Sequence, residues 1–412
     1  MLQQNTSMLG VRYRAYPSYT QQKELCRQMA LAKELYNFLL EKNISTYKAT
    51  KKHSSQFDMQ KWITELKQHE PKFKMVHSHV LQNVCKRIHH AFILFFSRLK
   101  IKKAGGNVKV GFPRFKKYVR SLTFPDPCST GAYKFESNKR LSLSKIGKIQ
   151  IKMHRVPKGN IKTCTIKQER SGKWFVSFST DAIPETKIQH HDGAIGIDVG
   201  CKKLAVLSNG VEIDNPHFYK KAQKRRAFLQ RRIFRKKKGS KNRRKAKHHF
   251  AIFEERVADQ RKDFLEKLST KLITHHELIV LEDLSINNMV KNHHLAGSIL
   301  DSSWGAFRDM LQRKASSAGS EVVLINPKDT TQMCSGCHKK QDKKIELSTR
   351  VYSCSHCGVL LDRDLNAAYN ILRIGTAGRA GIHACRDMPS TFGFKPEARH
   401  FVEAGTNQRV LI

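Results

Sequence analysis

The hydrophobic pattern changes from alternating to helical within the amino-terminal part of the chain. Residues 8–15, MLGVRYRA, alternate apolar and basic side chains, which predicts a β-strand. Apolar residues then recur at helical spacing over 21–48, and two further helical stretches follow at about 57–69 and 75–99. We therefore expect a small helical unit over residues 20–100 that follows the first strand.

Glycines and a proline between residues 105 and 113 mark a change to short alternating runs. These runs lie at residues 122–124, 141–143, 149–151, 161–166 and 174–178. Several short strands separated by glycine-marked turns predict a β-barrel or a β-sandwich. We expect the strand at 8–15 to join this sheet, so that the helical unit is inserted between the first strand and the others.

The pattern changes again after residue 194. Three strands follow in quick succession, AIGIDVG, LAVLSNG and VEID, and a long helical region runs from about 218 to 276. The near-continuous apolar run ELIVLEDL predicts a strand that is buried on both faces. A helix at about 303–317, the strand EVVLINP and a helix at about 362–374 complete the order of a ribonuclease-H-like α/β domain. The glycine-rich segment from Gly375 onward predicts a flexible tail.

Three acidic residues lie where such a domain needs catalytic carboxylates. Asp198 lies inside the apolar strand IGIDVG, Glu282 ends the strand LIVLE, and Asp364 opens the last helix. An acid in a buried strand is costly unless it is paired or binds a metal, and three carboxylates can hold two Mg²⁺ ions for phosphodiester chemistry. A turn-forming role for Asp198 and a salt bridge at Glu282 are the structural alternatives. Asp283 and Asp362 compete with their neighbours for the catalytic role.

Four of the cysteines form two CxxC pairs with sixteen residues between them, Cys334 with Cys337 and Cys354 with Cys357. This spacing is typical of a structural zinc site, in which four thiolates surround one ion tetrahedrally. Because four ligands close the coordination sphere, the zinc is expected to hold a fold and to perform no chemistry.

Composition indicates a large polyanionic partner. The 412 residues suggest two or three domains, and 77 Lys and Arg against 34 Asp and Glu give a net charge of +43. Such an excess favours nucleic acid as the partner. No apolar run approaches the roughly 18 residues of a membrane span, and the amino terminus lacks the pattern of a secretory signal. We expect a cytoplasmic protein, associated with the nucleoid if bacterial, with no membrane partner.

The most basic part of the chain lies within the long helical region. Sixteen Lys and Arg fall between Lys220 and Lys247, and no acid occurs from Asp214 until Glu254. Like charges at this density repel one another unless phosphates neutralise them, although a solvated helix or a localisation signal is the alternative. The residues predicted to contact nucleic acid are Lys224, Arg225, Arg226, Arg231, Arg232, Arg235, Lys236, Lys237, Arg243 and Arg244. The segment PRFKKYVRS at 113–121 mixes aromatic and basic residues and is a further candidate for stacking on bases.

Taken together, the strings GIDVGCKKLAVLSNG, IVLEDLSINNM and CSGC…YSCSHCGVLLDRDLNAAYNIL resemble TnpB, also called OrfB, a family of transposon-encoded, RNA-guided DNA endonucleases related to type V CRISPR effectors. The opening VRYRAYPSYTQQ…LYNFLL is similar to the family as well. The resemblance implies a RuvC nuclease centre at Asp198, Glu282 and Asp364, because Asp364 opens the family's D-x-N-A-A pattern. It also implies a zinc ribbon at the four cysteines.

The resemblance implies an α+β multidomain protein with five parts. They are a wedge-like β-barrel at 1–20 and 101–190, a helical recognition unit at 21–100, a RuvC-like nuclease domain at 191–327 and 358–375, an inserted zinc ribbon at 328–357, and a flexible tail at 376–412. Two Mg²⁺ ions, one structural Zn²⁺ ion and a guide RNA are the implied cofactors. Gln82, Ser121 and Thr123 are implied candidates for reading the short DNA motif beside the target.

The implied partners are a guide RNA transcribed from the end of the element and a double-stranded DNA target, with an element-encoded transposase as an additional candidate. The expected function is RNA-guided DNA cleavage, in which base pairing supplies sequence specificity. A transposase that transfers strands directly, a guide-directed repressor that binds DNA without cutting it, and a junction resolvase are the alternatives. The acids alone do not separate hydrolysis from strand transfer.

Overall fold

The computed structural model describes residues 9–51, 53–125, 131–137, 139–181, 192–343, 345–346 and 349–377. The chain divides into two compact units, with the division after residue 183. Nearly all of the predicted tail lies outside the described residues. Among the described residues, no helix combines the length and the apolar character that crossing a membrane requires.

The first unit combines a seven-stranded sheet with three helices. Its strands are β1 Leu9–Tyr16, β2 Ser121–Pro125, β3 Tyr133–Ser137, β4 Arg140–Leu143, β5 Gly147–Lys152, β6 Ile161–Gln168 and β7 Trp174–Thr180. Its helices are α1 Tyr19–Thr50, α2 Gln56–His69 and α3 Ser78–Lys103, with a 3₁₀ turn at Pro71–Met75. The strand order is β2-β6-β7-β1-β5-β4-β3, and every described pairing is antiparallel.

The first strand lies in the middle of this sheet, although it is far from its neighbours in sequence. β1 pairs with β7 on one side and with β5 on the other, which confirms that the strand predicted at 8–15 joins the later strands. Apolar side chains alternate inward along β7, where Trp174, Val176 and Phe178 are buried. Ser18 caps the start of helix α1, and its hydroxyl accepts a hydrogen bond from the backbone N–H of Gln21 in a capping box.

The second unit is built on a five-stranded mixed sheet. Its strands are β8 Asp192–Val199, β9 Lys203–Leu207, β10 Glu212–Asp214, β11 His276–Glu282 and β12 Glu321–Ile325, followed by a separate hairpin of β13 Val351–Ser353 and β14 Leu360–Asp362. Its helices are α4 Phe218–Phe234, α5 Lys241–His275, α6 Ile286–Met289, α7 His293–Ser302, α8 Trp304–Ala318 and α9 Arg363–Thr376. The order is β10-β9-β8-β11-β12, with β11 parallel to both β8 and β12.

Strand β11 is covered on both faces, as its apolar run predicts. Ile279 and Leu281 belong to a core that includes residues of α5 and α8, whereas Leu278 and Val280 pack against residues of α9. Side chains of a strand alternate between faces, so the uninterrupted apolar run corresponds to helices on both sides of the sheet. This layering brings the amino terminus of α9 to the sheet edge at which β8 and β11 end.

Two predicted boundaries differ from the structure. The single helical region predicted at 218–276 is divided between α4 and α5, because Gly239 adopts a positive φ of 89° and Ser240 caps α5 by accepting from the backbone N–H of Arg243. The last helix also continues through Gly375 to Thr376, where a tail was predicted to begin. The glycine there is a packing position, since an added Cβ would lie 2.3 Å from a methyl carbon of Val280.

Candidate active site and zinc cluster

The three predicted carboxylates come from three neighbouring elements. Asp198 lies near the end of β8, and Glu282 ends the adjacent parallel strand β11, where the preceding residues Ile197 and Leu281 are paired. Asp364 lies in the first turn of α9. Electrostatic repulsion from Glu282 and Asp364 reaches the carboxyl group of Asp198. The structure therefore brings the three acids together at one edge of the sheet.

Helix α9 reaches this position because a glycine leaves room for it. A Cβ added to Gly196 would lie 2.3 Å from the carbonyl oxygen of Ala368 and 2.7 Å from the backbone nitrogen of Leu372. A glycine inside a strand often marks such a close backbone approach. Gly196 of β8 and Gly375 of α9 thus let the helix lie directly against the sheet, with its acidic first turn beside Asp198.

The surroundings of Asp198 disfavour its charged form. Burial raises the pKa of this carboxyl group well above its ordinary value, and the neighbouring charges of Glu282 and Asp364 raise it further. The guanidinium of Arg363 and a backbone hydrogen bond from Val199 oppose this shift only in part. A carboxylate here remains unfavourable until a positive charge compensates it.

Glu282 and its neighbour Asp283 have different environments. Burial raises the pKa of Glu282, and a hydrogen bond donated by the hydroxyl of Thr330 to Oε1, at 2.5 Å, opposes the increase. Asp283 is largely exposed and forms an ion pair with Arg308, with Nη1 and Oδ1 3.0 Å apart. Of the two acids, Glu282 is the one that lies among the other candidate carboxylates.

Asp362 and Asp364 also have different contacts. The carboxylate of Asp362 caps helix α9 by accepting from the backbone N–H groups of Asp364 and Leu365, at 2.9 and 3.2 Å. The side chain of Asp364 forms ion pairs with Arg363, at 2.9 Å, and with Arg350, at 3.6 Å. Asp362 thus has a structural role as the cap of the helix, whereas the carboxylate of Asp364 repels the charge of Asp198.

The donor set fits hard divalent cations. It consists of carboxylate oxygens, which Mg²⁺ prefers, and a cation would relieve the repulsion that raises the pKa of Asp198. Among the described residues, the three acids do not form a group whose ligand oxygens all lie within 4.8 Å of one another.

The four cysteines of the two CxxC pairs do form a compact group. All four sulfur atoms lie within 4.8 Å of one another, and the Sγ atoms of Cys334 and Cys357, and of Cys337 and Cys354, are 3.6 Å apart. Four sulfurs at about 2.3 Å around zinc are about 3.8 Å apart, which agrees with these separations. The cluster therefore fits one tetrahedrally bound Zn²⁺ ion.

The thiols of this cluster cannot all ionise without a cation. Burial raises the pKa of Cys334 to about 12. For Cys354, burial is outweighed by hydrogen bonds from the backbone N–H groups of Cys357 and His356, which lower its pKa to about 6. Zinc binding would supply the charge that four thiolates in contact require.

Two buried asparagines attach this cysteine cluster to helix α9. The side chain of Asn366 accepts from the backbone N–H of Ser335 at 2.9 Å and donates to the carbonyl of Met333 at 2.8 Å. Asn370 donates to the carbonyls of Met333 and Thr330, at 2.7 and 3.0 Å. The helix that carries Asp364 is thereby tied to the cysteine-bearing excursion, and Thr330 in turn contacts Glu282.

The basic residues predicted to contact nucleic acid lie on the hairpin formed by α4 and α5. Most are exposed, whereas Arg226, Lys236 and Arg243 are half-buried. Arg226 pairs with Glu254 at 2.9 Å, and Arg243 donates to the carbonyl of Lys236 at 2.9 Å. These two arginines therefore stabilise the hairpin, which leaves the exposed set as the better candidates for phosphates: Lys224, Arg225, Arg231, Arg232, Arg235, Lys237 and Arg244.

The candidates for reading a DNA motif differ in accessibility. Gln82 of α3 is exposed, and Ser121 at the start of β2 is half-buried. Thr123 is buried, and its hydroxyl accepts a hydrogen bond from Arg87 at 2.7 Å while contacting that of Thr165 at 3.0 Å. This environment disfavours Thr123 as a residue that contacts a base directly.

Sequence reasoning missed several residues that shape the candidate active site. Thr330 contacts Glu282, and Arg350 and Arg363 contact Asp364. No residue pattern marks Thr330 or Arg350, because Thr330 is 48 positions along the chain from Glu282 and Arg350 lies in the irregular stretch between the two cysteine pairs. Gly196 did carry a signal, since a glycine within an apolar strand indicates close packing.

Three family models match the chain. A model described as "Probable transposase" matches residues 177–293, one described as "Cas12f1-like, TNB domain" matches 304–371, and one described as "Helix-turn-helix domain" matches 8–52. The last range corresponds here to strand β1 and the single long helix α1. The first two cover the candidate acids and the four cysteines.

Similarity to individual proteins extends over most of the chain. A putative RNA-guided DNA endonuclease of Streptomyces pristinaespiralis is 33% identical over 390 residues, which is 92% of this chain and 93% of the relative. The putative RNA-guided DNA endonuclease InsQ of Escherichia coli K12 is 29% identical, covering 92% of this chain and 94% of the relative.

The fold is shared with a solved structure as well. The chain is similar to the protein in a cryo-EM structure of a Cas12f1-sgRNA-target DNA complex, with a TM-score of 0.51 and 15% sequence identity over 85% of this chain and 82% of that one. At this identity the likeness concerns the fold alone. The identity to relatives over nearly the full length, together with the matching family models, shows that this chain belongs to the TnpB (OrfB) family.

Proposed function

We propose that this chain is an RNA-guided DNA endonuclease whose cleavage site consists of Asp198, Glu282 and Asp364. The observation that carries the proposal is the approach of three acids from β8, β11 and α9, where burial and mutual repulsion raise the pKa of Asp198. Perturbed carboxylates clustered in this way are typical of functional sites. The guide RNA and the DNA target are inferred from relatives that are named putative RNA-guided DNA endonucleases.

The chain's own residues hold the acids in place. Thr330 fixes one carboxylate oxygen of Glu282, and Arg363 and Arg350 hold the carboxylate of Asp364. Two divalent ions bound by such carboxylates would supply an activated water and charge stabilisation of the leaving oxygen of a phosphodiester. Without them, the repulsion at Asp198 remains uncompensated.

We assign the parts of the chain accordingly. The five-stranded sheet with its helices corresponds to a RuvC-like nuclease domain over 191–327 and 358–375, with a zinc ribbon at 328–357. The seven-stranded sheet corresponds to a wedge-like barrel, and α1 to α3 to a recognition unit. The position of the cysteine cluster between β12 and α9 supports this division.

We assign the exposed basic residues of the α4–α5 hairpin to nucleic-acid phosphates. Sixteen Lys and Arg occur between Lys220 and Lys247, and Glu254 is the first acid after them. Phe228 and Phe234 are exposed between these charges, while Leu229 and Ile233 are buried. The buried apolar residues pack within the hairpin. Its charged side chains are thus exposed and can contact the phosphate backbone of a nucleic acid.

The test is cleavage of a DNA duplex that matches the guide RNA bound to the purified protein. With Mg²⁺ present, Asp198→Ala should abolish cleavage and leave DNA binding nearly unchanged, because the substitution removes only a site for cations. Cleavage by this variant at the wild-type rate would overturn the assignment. Strand-transfer products from the wild-type protein would indicate a recombinase instead, and binding without cleavage would indicate a repressor.

A neighbouring pair of acids supplies the matched control. Glu282→Gln should abolish cleavage, whereas Asp283→Asn should retain it, because Asp283 is exposed and pairs with Arg308. The two variants differ by one position and make the same chemical change. Equal loss in both would show that charge in this region matters and that the site residue is assigned wrongly.

A further inference from the structure

The segment between α3 and β2 combines exposed aromatic rings with basic residues. Residues 104–120 contain no helix or strand, and within them GFPRFKKYVR alternates aromatic and cationic side chains. We propose that residues 112–118, here called the aromatic segment, bind unpaired bases of the guide RNA by stacking on Phe115 and Tyr118. This inference rests on the proposed function, since it takes an RNA as the resident partner.

The aromatic segment is held in a defined position although it has no regular structure. Its first ring, Phe112, packs edge-on against Phe92 and Phe95 of α3, with centroids 5.6 and 5.3 Å apart. In the middle, the side chain of Asn37 both donates to the carbonyl of Lys116, at 3.0 Å, and accepts from its backbone N–H, at 2.8 Å. A binding surface that is already ordered loses less conformational entropy when its ligand binds.

Further anchoring occurs where the segment enters the sheet. The carbonyl of Arg120 accepts a hydrogen bond from the backbone N–H of Gln168 in β6, at 2.9 Å. Contacts at Phe112 and Lys116 thus fix the start and the middle of the segment, and the contact at Arg120 fixes the chain two residues after its end. Between these points, the side chains of Phe115, Lys117 and Tyr118 are exposed.

Two aromatic rings of the segment, Phe115 and Tyr118, are exposed to solvent. Phe115 is 54% exposed and Tyr118 is 60% exposed, so neither contributes much to a core. The guanidinium of Arg120 lies over the ring of Tyr118, 4.9 Å from its centroid, which leaves the opposite face for a base. Exposed aromatic rings on an ordered backbone are the platform on which unpaired bases stack.

Charge in this region favours a polyanion. No Asp or Glu occurs between Glu70 and Asp126, a stretch that holds thirteen Lys and Arg. Arg114 and Lys117 are exposed and adjoin Phe115 and Tyr118 in the sequence, whereas the ammonium of Lys116 lies over the ring of Tyr36, 5.2 Å from its centroid. Cations next to stacking platforms match the alternation of phosphate and base along a single strand, and this charge complementarity disfavours an apolar protein partner.

RNA fits the aromatic segment better than duplex DNA. A folded guide RNA offers loops and ends whose unstacked bases can be splayed onto aromatic side chains, whereas the bases of duplex DNA are paired and stacked. The RNA is also the partner that an RNA-guided enzyme holds before any target arrives. The aromatic segment is therefore assigned to the RNA.

The first test measures stacking on nucleic-acid-free protein. A labelled oligouridylate of about twelve nucleotides serves as the probe, because one binding site spans about 4–16 nucleotides. Phe115→Ala combined with Tyr118→Ala should weaken binding about tenfold or more, since base stacking contributes about 1–3 kcal/mol per base. The slope of log Kd against log salt should stay unchanged because no charge is removed, whereas Lys117→Ala should reduce that slope by about 0.7.

Two variants serve as controls. Phe57→Ala removes an aromatic ring that is 75% exposed on α2 beside Asp58, and it should not change binding. Phe115→Trp with Tyr118→Phe keeps both platforms and should bind as the wild type does. Binding by the double alanine variant within twofold of the wild type would overturn the proposal.

A second measurement identifies the nucleic acid in the assembled complex. Ultraviolet cross-linking of the protein with its co-purified RNA and a matching DNA target, followed by mass spectrometry, should give ribonucleotide adducts on peptides that cover residues 112–120. Deoxyribonucleotide adducts, or none, at these residues would contradict the assignment to RNA. The outcome is separable from the proposed function, because Asp198→Ala should keep the adducts, and a protein that never cuts DNA can still carry them.

Discussion

Asp198 is a half-buried residue whose carboxyl group shares its surroundings with two further acids. Glu282 and Asp364 each have a neighbouring acid that could have taken the catalytic role, and the contacts distinguish them. Asp362 caps α9, and Asp283 is exposed and pairs with Arg308. No pattern in the chain shows which carboxylate a backbone N–H or an arginine will occupy. Candidate acids could therefore be predicted at this scale, but not their contacts.

The repulsion at Asp198 has a consequence for stability. Asp198→Asn should raise the melting temperature at neutral pH by about 2–4 °C, the shift that 1 kcal/mol produces in a domain of this size. A carboxyl group whose pKa is raised by folding stabilises the fold at acidic pH, and that contribution is lost as the pH rises through the raised value. The gain should therefore shrink as the pH falls toward about 4, the ordinary pKa of the group.

Thermal unfolding without added divalent ions provides this measurement. Asp283→Asn is the control and should show no comparable gain, because that carboxylate is exposed and paired. A variant at Asp198 that is less stable than the wild type at neutral pH would contradict the electrostatic account.

The close approach at Gly196 also has a measurable effect. Gly196→Ala should destabilise the protein by about 1–3 kcal/mol, since the added methyl group meets the backbone of α9. Gly297→Ala is the matched control, because this exposed glycine of α7 has nothing within 4 Å of the added carbon and alanine favours a helix. Denaturant unfolding of both variants compares them. Equal stabilities would show that α9 does not press on β8 here.

Elements with a clear hydrophobic pattern could be predicted from the sequence, whereas boundaries within strongly charged stretches could not. Strand β11 could be predicted because its side chains are apolar on both faces, which is typical of a strand buried on both sides. The break between α4 and α5 was missed, since Gly239 and Ser240 lie within a charge run that reads as one helix. The order of the seven-stranded sheet depends on long-range pairing of β1, which no local pattern encodes.

The zinc content of the protein should depend on all four cysteines of the cluster. Cys354→Ser should lower bound zinc well below one ion per chain, because three thiolates bind zinc less tightly than four. Elemental analysis of the purified protein measures this content. Cys164→Ser is the control, since this buried cysteine belongs to the other unit. Full zinc content in the Cys354 variant would mean that the ligand set is wrong.

The whole molecule carries far more positive than negative charge. A net charge of +43 favours binding to the phosphates of nucleic acid. This property follows from composition alone and required no structure. The structure adds that many of the charges lie on the α4–α5 hairpin, where acids are absent from 220 to 247.

Binding should accordingly weaken steeply with salt. Between about 50 and 200 mM salt, affinity for nucleic acid should fall at least a hundredfold, because bound phosphates release their counterions. Replacing Arg231 and Arg232 by Ala should reduce the slope of log affinity against log salt. Lys267→Ala is the control, since Lys267 pairs with Asp263 at 2.8 Å. A flat salt response in anisotropy titrations would contradict a phosphate-binding role.

The most direct test of RNA guidance is to purify the protein expressed with its native flanking DNA and to sequence the RNA that accompanies it. If the protein is RNA-guided, one discrete species should appear, with a constant scaffold and an end that matches the flank of the element. That end would define the DNA sequence to be cut. A heterogeneous mixture of cellular RNAs, or no RNA, would contradict RNA guidance and favour direct strand transfer or junction cleavage.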